Sequence, residues 1–158
     1  MSQEILAPNE TELQWIEANL RIARSAIKAF APQHAAEITL GALDAAFTSW
    51  LAQHDPQQQD PNPYINAFGI GFGQYLVDHL NLRWAVVKDD KGAEMAVHGQ
   101  PGDILIFPPS FVAKRYMSKA TGFFEPIYAQ MEKDAATFTR KSWPRSKTLS
   151  GRPGRTRV

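Results

Sequence analysis

The hydrophobic positions near the start of the chain recur at helical spacing. They follow three- and four-residue steps, which place them on one side of an α-helix of about five turns. This apolar stripe consists of Leu13, Ile16, Leu20, Ala23, Ile27 and Phe30. Asn9 or Thr11 is expected to cap the helix, because Glu12 and Gln14 follow them at capping-box spacing. Pro32 is expected to end it.

Two further helices are predicted before the pattern changes. The second runs from about Ala36 to Gln53, and its inward positions are Leu40, Leu43, Phe47, Trp50 and Leu51. Residues 54–63 are polar and rich in proline, so they are predicted to form a loop. The third helix covers about residues 64–80 and contains three glycines.

After residue 80 the hydrophobic period shortens from 3.6 to 2, which is typical of strands. Residues 83–89 and 93–98 are predicted to pair through a tight turn in which Gly92 takes the left-handed conformation. A second turn at 99–103 leads into residues 104–107, a run apolar on both faces and therefore expected to be the most buried strand.

Two helices are predicted to complete the chain. Pro108 and the proline after it end the last strand, and Ser110 is expected to cap a short helix that reaches Lys119. The final helix covers about residues 124–138, with the apolar face Phe124, Ile127, Tyr128, Met131, Ala135 and Phe138. The linkers between strands are too short for parallel crossovers. The predicted fold is therefore α+β, with N-terminal helices packed on a three-stranded antiparallel β-meander and C-terminal helices following it.

The glycines of the third helix raise the question of a phosphate-binding loop. Gly69, Gly71 and Gly73 lie in the stretch FGIGFGQYL, but a phosphate loop follows a strand, whereas this stretch follows a proline-rich loop. Each glycine in a helix costs about 0.5–1 kcal/mol relative to alanine. Close approach of another part of the backbone would offset that cost, so the glycines are predicted to form a packing groove.

Composition and charge divide the chain into two parts. At 158 residues the chain is long enough for one domain with its own core, and it has no cysteine, which excludes disulfides and thiolate chemistry. Residues 1–134 carry a net charge of −6 and residues 135–158 a net charge of +7. We therefore predict a single α+β domain over 1–139 and a basic, flexible tail over 140–158. The start of the chain lacks the pattern of a secretory signal, so a cytoplasmic protein is expected.

No local motif predicts catalysis, a metal or a cofactor. The four histidines form no metal-binding spacing. His34 and His54 are expected to be solvated, and His79 is expected to stabilise the end of a helix. A metal site built from His79, His98 and a distant carboxylate is the disfavoured alternative. Asp89 and its neighbour Asp90 are interpreted as turn residues, since an acid/base pair has to face across a cleft.

Lys114 and Arg115 have no evident structural role. At least one of these adjacent bases is expected to project outward from its helix. Arg115 has two interpretations that the sequence leaves open. It forms a forked ion pair with a carboxylate of the domain, or it presents the same fork to a carboxylate or phosphate of a partner.

The region from the third helix to Arg115 resembles a family of small bacterial proteins known as a domain of unknown function. The resemblance lies in a glycine-containing helix, a W-x-V-V-x-D-x-x-G hairpin, an apolar strand ending in Phe-Pro, and a later Lys-Arg pair. Its positions are Gly73, Trp84, Val86, Val87, Asp89, Gly92, Phe107, Pro108, Lys114 and Arg115. The resemblance covers about residues 64–117 and implies a fold and a bacterial origin, but no activity.

Three functional hypotheses follow, and no cofactor is expected. The leading one is a non-enzymatic, bacterial, cytoplasmic protein-binding module, with an immunity protein that masks a toxin as its specific form. The second is an enzyme or small-ligand binder with a pocket between the third helix and the sheet. A filled interface at that place would contradict this hypothesis. The third is nucleic-acid contact through the basic tail. The predicted binding residues are Tyr75, His79, Trp84, His98, Lys114 and Arg115.

Overall fold

The described residues form three helices, then three strands, then two helices, in the order that the hydrophobic pattern indicates, and one additional strand precedes them. A computed structural model of the protein describes residues 3–99 and 104–140. Its elements are β1 (Glu4–Leu6), α1 (Glu10–Phe30), a 3-10 turn (Pro32–His34), α2 (Leu40–Gln53), α3 (Asn62–Leu80), β2 (Arg83–Asp89), β3 (Gly92–Gly99), β4 (Ile104–Ile106), α4 (Pro108–Ser118) and α5 (Phe124–Arg140).

The first helix begins at the capping box that the sequence suggests. The side chain of Asn9 accepts a hydrogen bond of 2.8 Å from the backbone N–H of Glu12. The carboxylate of Glu12 in turn accepts a bond of 2.8 Å from the backbone N–H of Asn9. Asn9 and not Thr11 is therefore the N-cap. Most of the predicted stripe is buried, but the prediction was wrong for Leu13, which is 49% exposed.

The second helix starts later than predicted. The backbone after Pro32 forms a 3-10 turn, and Ala35 and Ala36 have positive φ angles of 55° and 59°. A residue with that backbone conformation cannot continue an α-helix. The helix starts instead at Leu40, where Thr39 accepts a hydrogen bond of 3.1 Å from the backbone N–H of Ala42.

The sheet is antiparallel and has four strands in the order β1-β2-β3-β4. The three predicted strands are present and form a meander. The predicted number of strands was wrong, because β1 adds a fourth strand that pairs with β2 through Leu6 and Val86. β1 has only three residues, all exposed, so it shows no hydrophobic pattern. Gly92 closes the β2–β3 turn with a φ of 129°, a value that favours glycine. Residues 100–103 of the turn predicted at 99–103 lie outside the described residues.

The glycines of α3 allow close packing, as predicted. A Cβ atom on Gly69 would lie 2.7 Å from the Cα atom of Pro109. A Cβ atom on Gly73 would overlap the ring of Trp84. Neither position has room for a methyl group, so α3 packs directly against the start of α4 and against β2.

The two C-terminal helices are held by contacts that differ from those predicted. α4 begins at Pro108 without a side-chain cap. The predicted cap, Ser110, instead donates its hydroxyl hydrogen bond to the carboxylate of Glu94 in β3. A ring cluster fills the space between α2, α3, α4 and α5 and consists of Phe47, Phe68, Phe72, Phe111, Phe123 and Phe124.

The overall class is mixed α+β, as the sequence predicts. The side chains of Ala135 and Phe138, which the sequence places on the apolar face of α5, lie outside the described residues. The basic tail is also outside them apart from residue 140, and the division into a domain at 1–139 and a flexible tail stays a prediction.

Candidate functional site

Two of the six predicted binding residues form a surface stack on α3. The rings of Tyr75 and His79 lie 3.9 Å apart at an interplanar angle of 15°. The Nδ1 atom of His79 lies 2.9 Å from the backbone oxygen of Tyr75. Tyr128 of α5 packs edge-on against Tyr75 at 5.2 Å. Burial, with a smaller contribution from Glu132, raises the pKa of Tyr128. This stack joins α3 to α5 and is a structural contact.

Trp84 and His98 lie at a different place, at one end of the sheet. The indole Nε1–H of Trp84 donates a hydrogen bond of 2.9 Å to the side-chain oxygen of Gln74 in α3. Because His98 is paired with Arg83 and not with Trp84, the two side chains leave opposite faces of the sheet. Both line a cavity of about 350 Å³, together with residues of β1, β2 and Gly99.

The predicted pocket between α3 and the sheet has little space. The ring of Trp84 fills the position beside Gly73, Tyr75 packs against Tyr128, and His79 stacks on Tyr75. The six predicted residues are therefore not brought together at one site.

Lys114 and Arg115 behave differently from each other. Lys114 is exposed, which agrees with the expectation that at least one of the two bases projects outward. The guanidinium carbon of Arg115 lies 4.2 Å from the centre of the Phe111 ring. Burial lowers the pKa of Arg115, and in the described part of the chain no carboxylate is paired with it. Arg115 thus makes a cation–π contact in place of the internal ion pair that the sequence left open.

A second group of aromatic side chains, which the sequence did not nominate, lies between α2 and α4. We call it the aromatic cluster, and it consists of Trp50, His54, Tyr64 and Tyr116. The Trp50 ring lies 4.8 Å from that of His54, 5.4 Å from that of Tyr64 and 5.7 Å from that of Tyr116. The His54 and Tyr116 rings are 5.8 Å apart.

The aromatic cluster contains polar atoms that lack hydrogen bonds. The Nε1 atom of Trp50 and both ring nitrogens of His54 are buried and have no partner among the described residues. Leaving such a group without a partner costs about 1–3 kcal/mol. The expectation that His54 is solvated was wrong, because its ring is covered by Trp50 and Tyr116. Buried polar groups without partners are rare in proteins. Three of them lie together in the aromatic cluster, which makes it a candidate binding site.

A cavity of about 360 Å³ opens beside the aromatic cluster. We call it the α2–α4 cavity, and its walls are formed by Leu51, His54, Pro56, Tyr116, Met117 and Lys119. His54 is the C-cap residue of α2, and Lys119 is the C-cap residue of α4. The ends of the two helices therefore position the two basic side chains of the wall. The wall otherwise combines aromatic and apolar groups, as ligand pockets do.

The sequence carried one local signal for this site. Trp50 and His54 are four residues apart, a spacing that brings side chains together on a helix. Tyr64 and Tyr116 come from other elements, and their approach to Trp50 depends on the tertiary fold.

The described residues contain neither a membrane-spanning helix nor a cluster of potential metal ligands. Within residues 3–99 and 104–140, no helix is long and apolar enough to cross a membrane. In the same residues, no group of three or more histidine or acidic side chains is arranged to hold a metal ion.

Comparison with known proteins gives a family but no activity. Neither the curated proteins nor the solved structures yielded a match. The sequence profile of a family described as Domain of unknown function (DUF3806) matches residues 45–128, which is just over half of the chain. The matched range contains the whole aromatic cluster and every residue that lines the α2–α4 cavity. This match confirms the resemblance to a domain of unknown function, and the chain belongs to the DUF3806 family of domains of unknown function.

Proposed function

We propose that this protein is a binding module and that the α2–α4 cavity is its ligand site. The observation that carries the proposal is the meeting of three buried ring nitrogens without partners in the aromatic cluster beside this cavity. A ligand that forms hydrogen bonds with His54 would relieve a cost that the protein otherwise retains.

The size and the lining of the α2–α4 cavity also support ligand binding. Its volume of about 360 Å³ lies within the range of about 300–1,000 Å³ that is common for small-molecule sites. Met117 is 78% exposed at its edge, and a methionine adapts its flexible thioether to different apolar groups. The ring of Tyr116 offers a flat apolar wall.

The substitution His54→Phe tests this role. Phenylalanine keeps the ring contacts with Trp50 and removes both buried nitrogens, so we expect the free energy of unfolding to rise by about 1 kcal/mol. We also expect the variant to lose affinity for ligands of the cavity. His79→Phe is the matched control, because His79 is exposed, and it should change stability by less than about 0.5 kcal/mol.

Binding can be measured by NMR with two small probes, phenylacetate and phenylacetamide. In the wild-type protein, either probe should shift the signals of the Trp50 Nε1–H and of the His54 ring. The shift of the Trp50 signal should be lost in His54→Phe, and both shifts should be retained in His79→Phe. If neither probe shifts these signals, the cavity is only a packing defect and the proposal is wrong.

A second candidate function is recognition of another protein by the outer surface of α4. Lys114 is exposed and Met117 is 78% exposed on this short helix, and an apolar side chain beside a cation is common in interfaces. This candidate keeps the predicted class of a bacterial, cytoplasmic protein-binding module. The narrower form, an immunity protein that masks a toxin, rests on size and class alone.

A pull-down from the native host separates the remaining candidates. A single partner that is lost on Met117→Ser with Lys114→Ala, but retained by Lys91→Ala, would support recognition through α4. Recovery of nucleic acid that depends on residues 140–158 would instead support the prediction for the basic tail. Retention of the same partner by all of these variants would contradict both.

A further inference from the structure

Lys119 occupies a backbone position that normally favours glycine. It ends α4 with a φ of 59° and a ψ of 31°, the left-handed conformation. Its N–H and that of Ala120 donate to the carbonyls of Tyr116 and Arg115 at 3.1 and 3.0 Å, which closes the helix. Glycine is the usual residue at such a position, because any other side chain raises the energy of this conformation. The lysine therefore occupies this position at a loss of stability.

The same residue places its charge at the α2–α4 cavity. Lys119 is exposed and is among the six residues that line the cavity, and none of the other five is acidic. Asp55 lies in the chain between the lining residues His54 and Pro56, and its carboxylate accepts a hydrogen bond of 3.0 Å from the backbone N–H of Gln57, which supports the turn after α2. The wall thus offers a cation and an aromatic face.

We propose that the ligand of the α2–α4 cavity is an aromatic group that carries a carboxylate. The aromatic ring lies against Tyr116 and Met117, and the carboxylate meets the ammonium group of Lys119. This inference rests on the proposed function and adds the chemical class of the ligand. A free aromatic acid and the C-terminal residue of a peptide ending in phenylalanine share this chemistry.

Acid and amide forms of the same probes test the role of the carboxylate. Phenylacetate should bind about tenfold more tightly than phenylacetamide, the effect of one charge-assisted hydrogen bond. The tripeptide Gly-Gly-Phe should likewise bind more tightly than its C-terminal amide if the cavity admits a peptide. Binding of phenylacetate without binding of the tripeptide would assign the cavity to free acids, and tighter binding of the tripeptide would assign it to peptide ends.

The substitution Lys119→Gly separates binding from stability. Glycine suits the left-handed backbone, so this variant should unfold at a higher temperature than the wild type. It should nevertheless bind phenylacetate about tenfold more weakly, no better than the amide. Asn81→Gly is the matched control, since Asn81 ends α3 with a φ of 58°. It should not change the affinity for phenylacetate.

The outcomes distinguish this inference from the proposed function. Equal binding of phenylacetate and phenylacetamide would overturn the carboxylate proposal and leave the ligand site standing. Unchanged affinity for phenylacetate in Lys119→Gly would overturn it as well. Failure of all the probes to shift the signals of Trp50 and His54 would overturn both.

Discussion

The carboxylate of Asp44, in the middle of the chain's second helix, accepts a hydrogen bond of 2.8 Å from the backbone N–H of Phe124. A second bond of 3.1 Å comes from the N–H of Glu125. These N–H groups start α5 and have no partner within that helix. Asp44 therefore caps a helix that lies 80 residues further along the chain, and this cap fixes α5 against the ring cluster.

Asp44→Ala should lower the free energy of unfolding by about 1–2 kcal/mol, the effect of losing an N-cap. Asp44→Asn should retain the cap and differ from the wild type in its response to pH. Burial raises the pKa of Asp44 above 3.8, despite the backbone hydrogen bonds that lower it. The folded protein thus binds this proton more tightly than the unfolded chain, and the stability contributed by Asp44 falls as the pH rises above 3.8.

Urea unfolding at several pH values measures this effect. The stability of Asp44→Asn relative to the wild type should increase as the pH rises through the raised pKa of Asp44. A difference that stays constant with pH, or that moves in the opposite direction, would contradict the assignment of burial as the main cause.

Gly69→Ala and Gly73→Ala should each destabilise the protein by about 1–3 kcal/mol through overpacking. The added methyl group would meet the backbone of Pro109 in the first variant and the ring of Trp84 in the second. Gly41→Ala is the matched control in α2, because its nearest neighbour is a carbon of His34 at 3.6 Å, an ordinary contact. It should raise stability by up to about 1 kcal/mol. Thermal unfolding of the three variants measures the contrast, and equal effects would contradict the packing groove.

Asn9→Ala should lower the free energy of unfolding by about 1 kcal/mol, because it removes the capping box of α1. Thr11→Ala removes the other cap that the sequence suggested, and it should change stability by less than about 0.5 kcal/mol. Urea unfolding of both variants is sufficient to compare them. A larger loss in Thr11→Ala than in Asn9→Ala would show that the helix begins elsewhere.

The sequence predicted those parts of the fold that local rules determine. The start of α1, the end of α2 and the β2–β3 hairpin follow from capping, proline and turn preferences among neighbouring residues. β1 was missed because three exposed residues show no periodicity and its pairing partner is far away in the chain. The cap on α5 was missed for a similar reason, since nothing near Phe124 in the sequence points to Asp44.

The candidate site was less predictable than the fold. The side chain of His54 was predicted to be solvated because it begins a polar loop, but the rings of Trp50 and Tyr116 cover it. The left-handed backbone conformation of Lys119 could not be predicted either. A glycine at a helix end indicates that conformation, whereas a lysine does not. Trp84, by contrast, was nominated as a binding residue, and its bond to Gln74 indicates a structural role.

Gln74→Ala tests that role of Trp84. The side-chain oxygen of Gln74 accepts the indole N–H of Trp84, while its nitrogen donates to Asp78 at 2.9 Å. Removal of the acceptor leaves a half-buried N–H without its partner, so the free energy of unfolding should fall by about 1 kcal/mol. The Nε1–H signal of Trp84 should also move upfield in the NMR spectrum. Asp78→Ala removes only the exposed end of this chain of bonds, and it should leave both the Trp84 signal and the stability close to those of the wild type. An unchanged Trp84 signal in Gln74→Ala would mean that the indole is held by the packing against Gly73 alone.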